Sequence, residues 1–350
     1  RPAHRAPAGS ATPGNGSMHR YLVRRIGVFL LTIFAAVTIN FIVIHATPLD
    51  PVAAVLGRMA SRGMSVEGGA QIVRTSTEAF GLDQPLYVQY LRYMGNLLRG
   101  DFGYSLAYFP EKVSSVVLRA IPWTLGLLTS AILLAFIVGN LIGALAAWPK
   151  APRVFRSLIY VFMGFSAIPF YLLALLLLYT FAFMWPLLPT GGMFSVGSAR
   201  GFDLATVIEV VTHATLPVAS LALGLIGFWA LSMRGAMTTV VGEDYLSYAR
   251  VKGLRERTIF FRYGMRNALL PQVTALAIDM GQLVSGQVLV ETIFNYPGLG
   301  TVLYNALRTA DYFVVQGVVL FIIISVALTM LIIDLVYPLL DPRVRLGEAS

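Results

Sequence analysis

Hydrophobic positions in this chain fall into long uncharged blocks, not into the alternation of half-buried strands or the narrow stripes of surface helices. The first block covers residues 26–46 and follows a basic cluster of Arg20, Arg24 and Arg25. Five more lie at about residues 121–148, 158–188, 213–233, 270–294 and 314–340. As helices, all are long enough to cross roughly 30 Å of hydrocarbon. The pattern predicts an all-α polytopic membrane protein with six transmembrane helices. No small-residue cleavage site closes the first block, which reads as a retained helix and not as a signal peptide.

The segments between the blocks are unequal. Residues 1–17 are rich in Ala, Pro, Gly and Ser and read as a disordered tail or a start extension ahead of Met18. Residues 18–46 then carry the first transmembrane helix, 47–119 an extracytoplasmic helical insertion, 120–345 a five-helix core with a cytoplasmic loop at 234–270, and 346–350 a tail. Within the insertion, Leu86, Tyr90, Tyr93, Met94 and Leu97 recur at spacings of three and four, with Pro85 placed to start a helix and Gly100 to stop it. Two readings fit that helix: packing on the membrane or bundle, or docking of an extracytoplasmic partner. Gly139 and Gly143, with Gly126 earlier on the same helix, suit close helix packing. Pro169 and Pro217 are placed to kink their helices, because each removes a backbone donor.

Composition narrows the class further. Of 350 residues, 57% are hydrophobic and 12% charged, about half the charged fraction of a soluble domain. So few charges cannot cover a water-facing surface, which excludes an ordinary soluble enzyme and a disordered chain. The absence of Cys excludes thiolate metal sites and thiol nucleophiles, and His4, His19, His45 and His213 include no pair at ligand spacing. Neither a metal nor a cofactor is expected.

The net charge of +9 is informative once sorted by segment. Cytoplasmic loops retain Lys and Arg. With the N-terminus inside, the inside segments hold 17 basic and five acidic residues, the outside segments nine of each, and the spans three acids, Asp279, Glu291 and Asp334. The excess therefore sets topology and does not mark a nucleic-acid binder. An even number of spans leaves both termini cytoplasmic.

Catalytic apparatus is missing from the sequence. The three lysines, Lys112, Lys150 and Lys252, lie in no phosphate-cradling G-x-x-x-x-G-K-[ST] loop, and there is no G-x-S-x-G elbow or H-E-x-x-H pair. No catalytic residue is assigned, and energy for uphill transport must come from an ion gradient or another subunit. The most informative segment is residues 243–271. Glu243 and Asp244 open a short helical pattern where anions suit the dipole, Arg250 and Lys252 close it, and Gly253 supplies a C-terminal cap. Tyr245, Tyr248, Ala249 and Lys252 share one face, with Ala249 and Gly253 small enough for close approach by another protein. A basic juxtamembrane loop held at anionic lipid would show the same charges.

This segment resembles the cytoplasmic coupling loop, or EAA loop, of ABC importer permeases, in the form typical of the dipeptide/oligopeptide/nickel branch. Ala249 and Gly253 match its small positions and Leu270-Pro271 its closing pair, while Ser247, Tyr248 and the eighteen-residue interval from Gly253 to Pro271 depart from the general consensus in the manner of the peptide branch. Further segments resemble that branch in order along the chain: Arg20 to Arg25, Gly81 to Leu86, Arg99 to Gly103, Val290 to Phe294, Tyr296 to Gly300 and Leu340 to Arg345. The resemblance implies a type I ABC importer permease fold in a bacterial inner membrane. It also implies a second permease subunit, usually in a heterodimer, two ABC ATPase subunits and an extracytoplasmic solute-binding protein. The implied ATPase-coupling residues are Tyr245, Tyr248, Ala249, Arg250, Lys252 and Gly253. The implied cargo is a di- or oligopeptide, with nickel chelates, glutathione or other small solutes as alternatives. A gradient-driven secondary transporter is the distant alternative, and the three intramembrane carboxylates do not converge on one span as its ion site would require.

A carboxylate within a span usually faces a cavity or a partner. Asp279, Gln282 and Gly286 fall on one face of the fifth span, with Ser285 flanking, and are expected to line the translocation path; a hydrogen bond of Asp279 within the bundle or at the subunit interface is the competing reading. Glu291, toward the outer end of that span, and Asp334, toward the inner end of the last, read as structural.

Overall fold

The computed structural model describes residues 15–46, 84–108, 110–194, 203–281 and 288–340, the side chains of 15–22, 281 and 333–340 excepted. Among these residues no strand forms; one antiparallel bridge joins Tyr104 to Lys112. The helices are α1 (Asn15–Ala46), α2 (Leu86–Leu98), α3 (Val113–Ala147), α4 (Val154–Ser166), α5 (Phe170–Leu178), α6 (Leu204–Val241), α7 (Asp244–Val251), α8 (Glu256–Thr258), α9 (Arg266–Gly281), α10 (Val288–Ile293), α11 (Leu299–Arg308) and α12 (Tyr312–Leu340). Widened π-helical turns extend α5 over Tyr179–Met184 and link α8 to α9 over Ile259–Met265.

Four helical stretches are long and apolar enough to cross a membrane: Val23–Ala46, Val113–Ala147, Leu204–Val241 and Tyr312–Ile332. The third expected span is not straight. Its two parts, Val154–Ser166 and Phe170–Met184, meet at 100° and make a fifth crossing only if counted as one. Pro169 caps α5 at φ −54° and ψ 139°, and it biases Ile168 away from helix, so the chain turns there. At Pro217 α6 runs on as one helix, and the Ser220 hydroxyl donates to the Pro217 carbonyl at 2.8 Å. The fifth expected span is represented by α9 and α10, with residues 282–287 between them outside the described set.

The centre of the fold is α6. Glycines on α3 bring it close: a Cβ on Gly139 would stand 2.6 Å from the Trp229 Cβ, and one on Gly143 would run into the Ala230 backbone. Gly126 has open space instead and takes no part in this seam. Trp229, Ala230 and Met233 are thereby fully buried. Glycines of α6 itself admit the bent pair, since a Cβ on Gly227 would lie 2.6 Å from Ser166 Oγ and one on Gly224 would strike the Phe170 ring. Asp203 caps the N-terminus of α6, and hydrogen bonds from the Thr206 hydroxyl and amide hold its carboxyl below the usual carboxylate range.

Two apolar clusters close the ends of α3, which its 35 residues separate by about 50 Å. Ile44, Val113, Val117, Leu299, Val314 and Val318 form one. Trp148, Met233, Met237, Leu246, Ile259 and Phe260 are central to the other. Gly143→Val should therefore lower the unfolding midpoint of the detergent-solubilised protein by the equivalent of about 1–3 kcal/mol. Gly126→Val should leave it unchanged; equal midpoints for the two variants would contradict the α3–α6 seam.

Candidate functional site

The loop at residues 242–271 folds as the short helix α7, a tight cap and the irregular α8–α9 connection. Asp244 sits in the first turn of α7 and Arg250 in the last, each matched to the helix dipole. Gly253, at φ +73°, ends the helix: its N–H bonds the Arg250 carbonyl at 2.9 Å, and the Leu254 N–H bonds the Ala249 carbonyl at 3.3 Å. This is the paired bonding of a Schellman cap, which needs the left-handed residue that glycine supplies.

The helix is amphipathic in a way that alters the expected face. Leu246 and Ala249, three residues apart, are buried against Trp148, Met237, Ile259 and Phe260. Ala249 therefore does not lie on the open side with Tyr248 and Lys252. Its small side chain lets α7 settle onto its own bundle and leaves no room there for another protein. The open side carries Ser247, Tyr248, Arg250, Val251 and Lys252, with Tyr248 62% and Val251 86% exposed. Lys252 Nζ lies 5.0 Å from the Tyr248 ring centre and the Arg250 guanidinium 5.7 Å from that of Trp148. Tyr245 is at the boundary, its hydroxyl accepting a 2.9 Å hydrogen bond from Asn267 Nδ2 at the start of α9. Lys150 pairs with Glu256 at 2.6 Å, tying the α3–α4 turn to the same loop.

The expected path residues divide. Asp279 is half-buried on α9 and makes no hydrogen bond among the described residues. Gln282, Ser285 and Gly286 lie outside the described residues. Gln272 of α9, 3% exposed, donates to Ser232 Oγ of α6 at 3.0 Å.

Two buried carboxylates organise the opposite end: Glu291, expected to be structural, and Asp311, which the sequence did not single out. Glu291 is fully buried. Its Oε1 accepts from the Thr124 hydroxyl at 2.8 Å and its Oε2 from the Gly300 N–H at 2.6 Å. The Thr124 oxygen in turn accepts the Leu299 N–H at 2.8 Å. A carboxylate and a hydroxyl thus satisfy the free donors at the N-terminus of α11 and join α3, α10 and α11. A Cβ on Gly298 would fall inside the Glu291 carboxyl group, and one on Gly300 would lie 2.5 Å from the Val288 Cα. The legible signal was the pair of glycines after Pro297, spaced to make room for Glu291. Asp311, also fully buried, accepts from the Ser105 hydroxyl at 2.5 Å, the Ala107 N–H at 2.9 Å and the Val314 N–H at 3.3 Å. It caps α12 and fastens residues 105–107 to it.

Residues 139–346 match the family described as binding-protein-dependent transport system inner membrane component, and residues 18–128 match the N-terminal membrane component of the same systems. The chain belongs to this family. It is 32% identical to the dipeptide transport system permease protein of Escherichia coli (strain K12) and to the di/tripeptide transport system permease protein of Pseudomonas aeruginosa (strain UCBPP-PA14). In both cases 94% of this chain and 99% of the relative are covered. A glutathione transport system permease protein of Escherichia coli O1:K1 / APEC is 30% identical with the same coverage. Family membership and the apolar helices together make the chain a multi-pass inner-membrane transport subunit. Such a subunit works with a solute-binding protein.

If Gly298 exists to house the Glu291 carboxyl, the two residues are coupled. Gly298→Ala should destabilise the protein by roughly 1–3 kcal/mol in the wild-type background and by much less once Glu291→Ala has removed the obstruction. Thermal midpoints of the two single variants and the double variant measure this, and strictly additive losses would contradict the cradle.

Proposed function

We propose that the chain is the membrane-spanning permease of an ATP-driven, binding-protein-dependent importer of di- or oligopeptides. The observation that carries this reading is near-full-length similarity to two permeases of dipeptide and di/tripeptide transport systems. The glutathione permease relative favours a second reading within the same class, a modified tripeptide as cargo.

In the proposed arrangement the chain crosses the inner membrane six times with both termini cytoplasmic. It pairs with a second permease subunit, and two ATP-hydrolysing subunits dock on the cytoplasmic face of the pair, one of them at this chain. The contact is the open side of α7, where Tyr248, Arg250, Val251 and Lys252 combine an aromatic ring, two cations and an exposed aliphatic group. Aromatic and Arg side chains are the usual anchors of protein interfaces. Leu246 and Ala249 sit in the same cluster as Met233 and Met237 of α6 and Trp148 at the end of α3. A push on Tyr248 is therefore delivered to the ends of α3 and α6 without a flexible joint. Asp279, with Gln282, Ser285 and Gly286 beyond it, is assigned to the path the peptide takes.

Two outcomes test this in liposomes containing the complete transporter. Tyr248→Ala and Lys252→Glu should each reduce ATP-driven peptide uptake by roughly tenfold or more, the effect of losing an interface anchor, while the membrane component keeps its unfolding midpoint. Unchanged uptake in both variants would contradict the assignment of α7. Asp279→Asn should change the uptake rate or the preference among peptides of different charge; wild-type values for both would remove Asp279 from the path.

A further inference from the structure

Three buried polar groups meet where α3, α6 and α9 pack together, and none of them has a partner among the described residues. They are Asn140 Oδ1, the Trp229 Nε1–H and Gln272 Oε1. Trp229 is 0%, Asn140 1% and Gln272 3% exposed. Asn140 stands two turns inside the end of α3 at Ala147, about 10 Å along its axis. Lipid surrounds the bundle at that depth, and bulk water cannot complete a buried group there.

The packing brings the three groups to one level. Gly139 sets α3 against Trp229 and Gly143 sets it against Ala230, so Asn140, between the two glycines, stands beside Trp229 and Ala230. Phe136, one turn before Asn140, packs edge-on to the Trp229 ring with centres 5.0 Å apart, and Asn140 Nδ2 donates to the Phe136 carbonyl at 2.8 Å. That bond fixes the amide, because its nitrogen is spent on the helix and its oxygen faces away. Ala144, the next residue on this face of α3, shares a cluster with Ala268 of α9, so the face is turned toward α9. From α9, Gln272 Nε2 donates at 3.0 Å to the hydroxyl oxygen of Ser232, three residues after Trp229 on α6. Ala275 and Leu276, on the following turn of α9, pack against the cluster that holds Trp229 and Ala230.

The groups also fix what can join them. One donor and two acceptors face the junction. A cation would be opposed by the indole N–H, and an anion by the two amide oxygens. A small neutral molecule that accepts once and donates twice satisfies all three, and about three hydrogen bonds is what a buried water makes.

We propose that the junction binds one water molecule, which accepts from the Trp229 Nε1–H and donates to Asn140 Oδ1 and Gln272 Oε1. Each group would otherwise cost stability as an unpaired buried polar atom. The water is also a joint. Among the described residues the Gln272–Ser232 bond is the one side-chain hydrogen bond between α9 and the α3–α6 pair. The water gives α9 a second tie to α6 and a first to α3, through bonds that can be exchanged as the helix shifts. The site concerns how α9 is held, and it stands whatever the cargo.

The test is hydroxyl-radical footprinting of the complete transporter in nanodiscs by brief X-ray exposure, with modified side chains read by mass spectrometry. The radicals form from water, so a side chain shut off from solvent is labelled only where a water sits against it. Trp229 should be oxidised although fully buried, while Met237, equally buried and of an easily oxidised type, should stay unmodified. Asn140→Leu removes one acceptor and puts a side chain in the water's place, and it should bring Trp229 down to the Met237 level. Ser232→Ala takes away the Gln272 bond but no group of the site, and it should leave Trp229 labelled. Trp229 as silent as Met237 in the wild type, or labelling that survives Asn140→Leu, would overturn the site. A cryo-EM map of the wild-type complex that resolves ordered water gives a second readout. A density peak within about 3.2 Å of all three atoms is expected, and Trp229 Nε1 bonded directly to an amide oxygen, with no peak between them, would overturn the proposal.

Discussion

Inside a bilayer, two helices gain little by hiding apolar surface from one another, because lipid tails are as apolar as leucine. Association has to come from close backbone approach and from hydrogen bonds. In this protein that constraint falls on α6, which has glycines facing it from α3 and glycines of its own facing the bent α4–α5 pair. Gly139 and Gly143 place α3 against Trp229 and Ala230, and Gly224 and Gly227 admit Phe170 and the Ser166 turn. A side chain at Gly224 or Gly227 would push the bent pair at Pro169 off the surface it wraps.

The two ends of the assembly follow from this central contact. Since α3 and α6 are locked together, their ends at Trp148 and Met237 present a fixed apolar socket, and α7 fills it with Leu246 and Ala249. At the other end of α3, Thr124 reaches Glu291 and the N-terminus of α11, so the carboxylate also reports on where α3 stands. Asp311 completes that end by capping α12 and holding residues 105–107. Buried acids thus do for the loops what glycines do for the helices, holding them together: each supplies partners to backbone donors at a helix start.

Much of this was legible in the chain. Four of the long uncharged blocks contain continuous membrane-length helices, Pro85 and Gly100 bracketed α2, and Gly253 marked the end of α7. The α3 glycines could be read as a packing seam, though Gly126 could not be told from the other two, since spacing alone does not say which side a neighbour occupies. Helix ends were less legible: α3 begins at Val113 and passes Pro122, because the transition from membrane to water does not interrupt a helix. The inward turn of Ala249 and the burial of Glu291 were hidden for one reason. Both depend on segments distant in sequence, Trp148 and Ile259 in the first case and Thr124 in the second.

The central claim is that α7 keeps Leu246 and Ala249 in the bundle and offers Tyr248 and Val251 to an ATP-hydrolysing subunit. The chain contains no cysteine, so each single substitution gives it one thiol at a known position. In the assembled complex, Tyr248→Cys and Val251→Cys should be joined to the ATPase subunit by a short cysteine-to-lysine reagent, and Ala249→Cys should not. Equal cross-linking at Ala249→Cys and Tyr248→Cys, or none at the exposed positions while the ATPase subunit still co-purifies, would contradict the account.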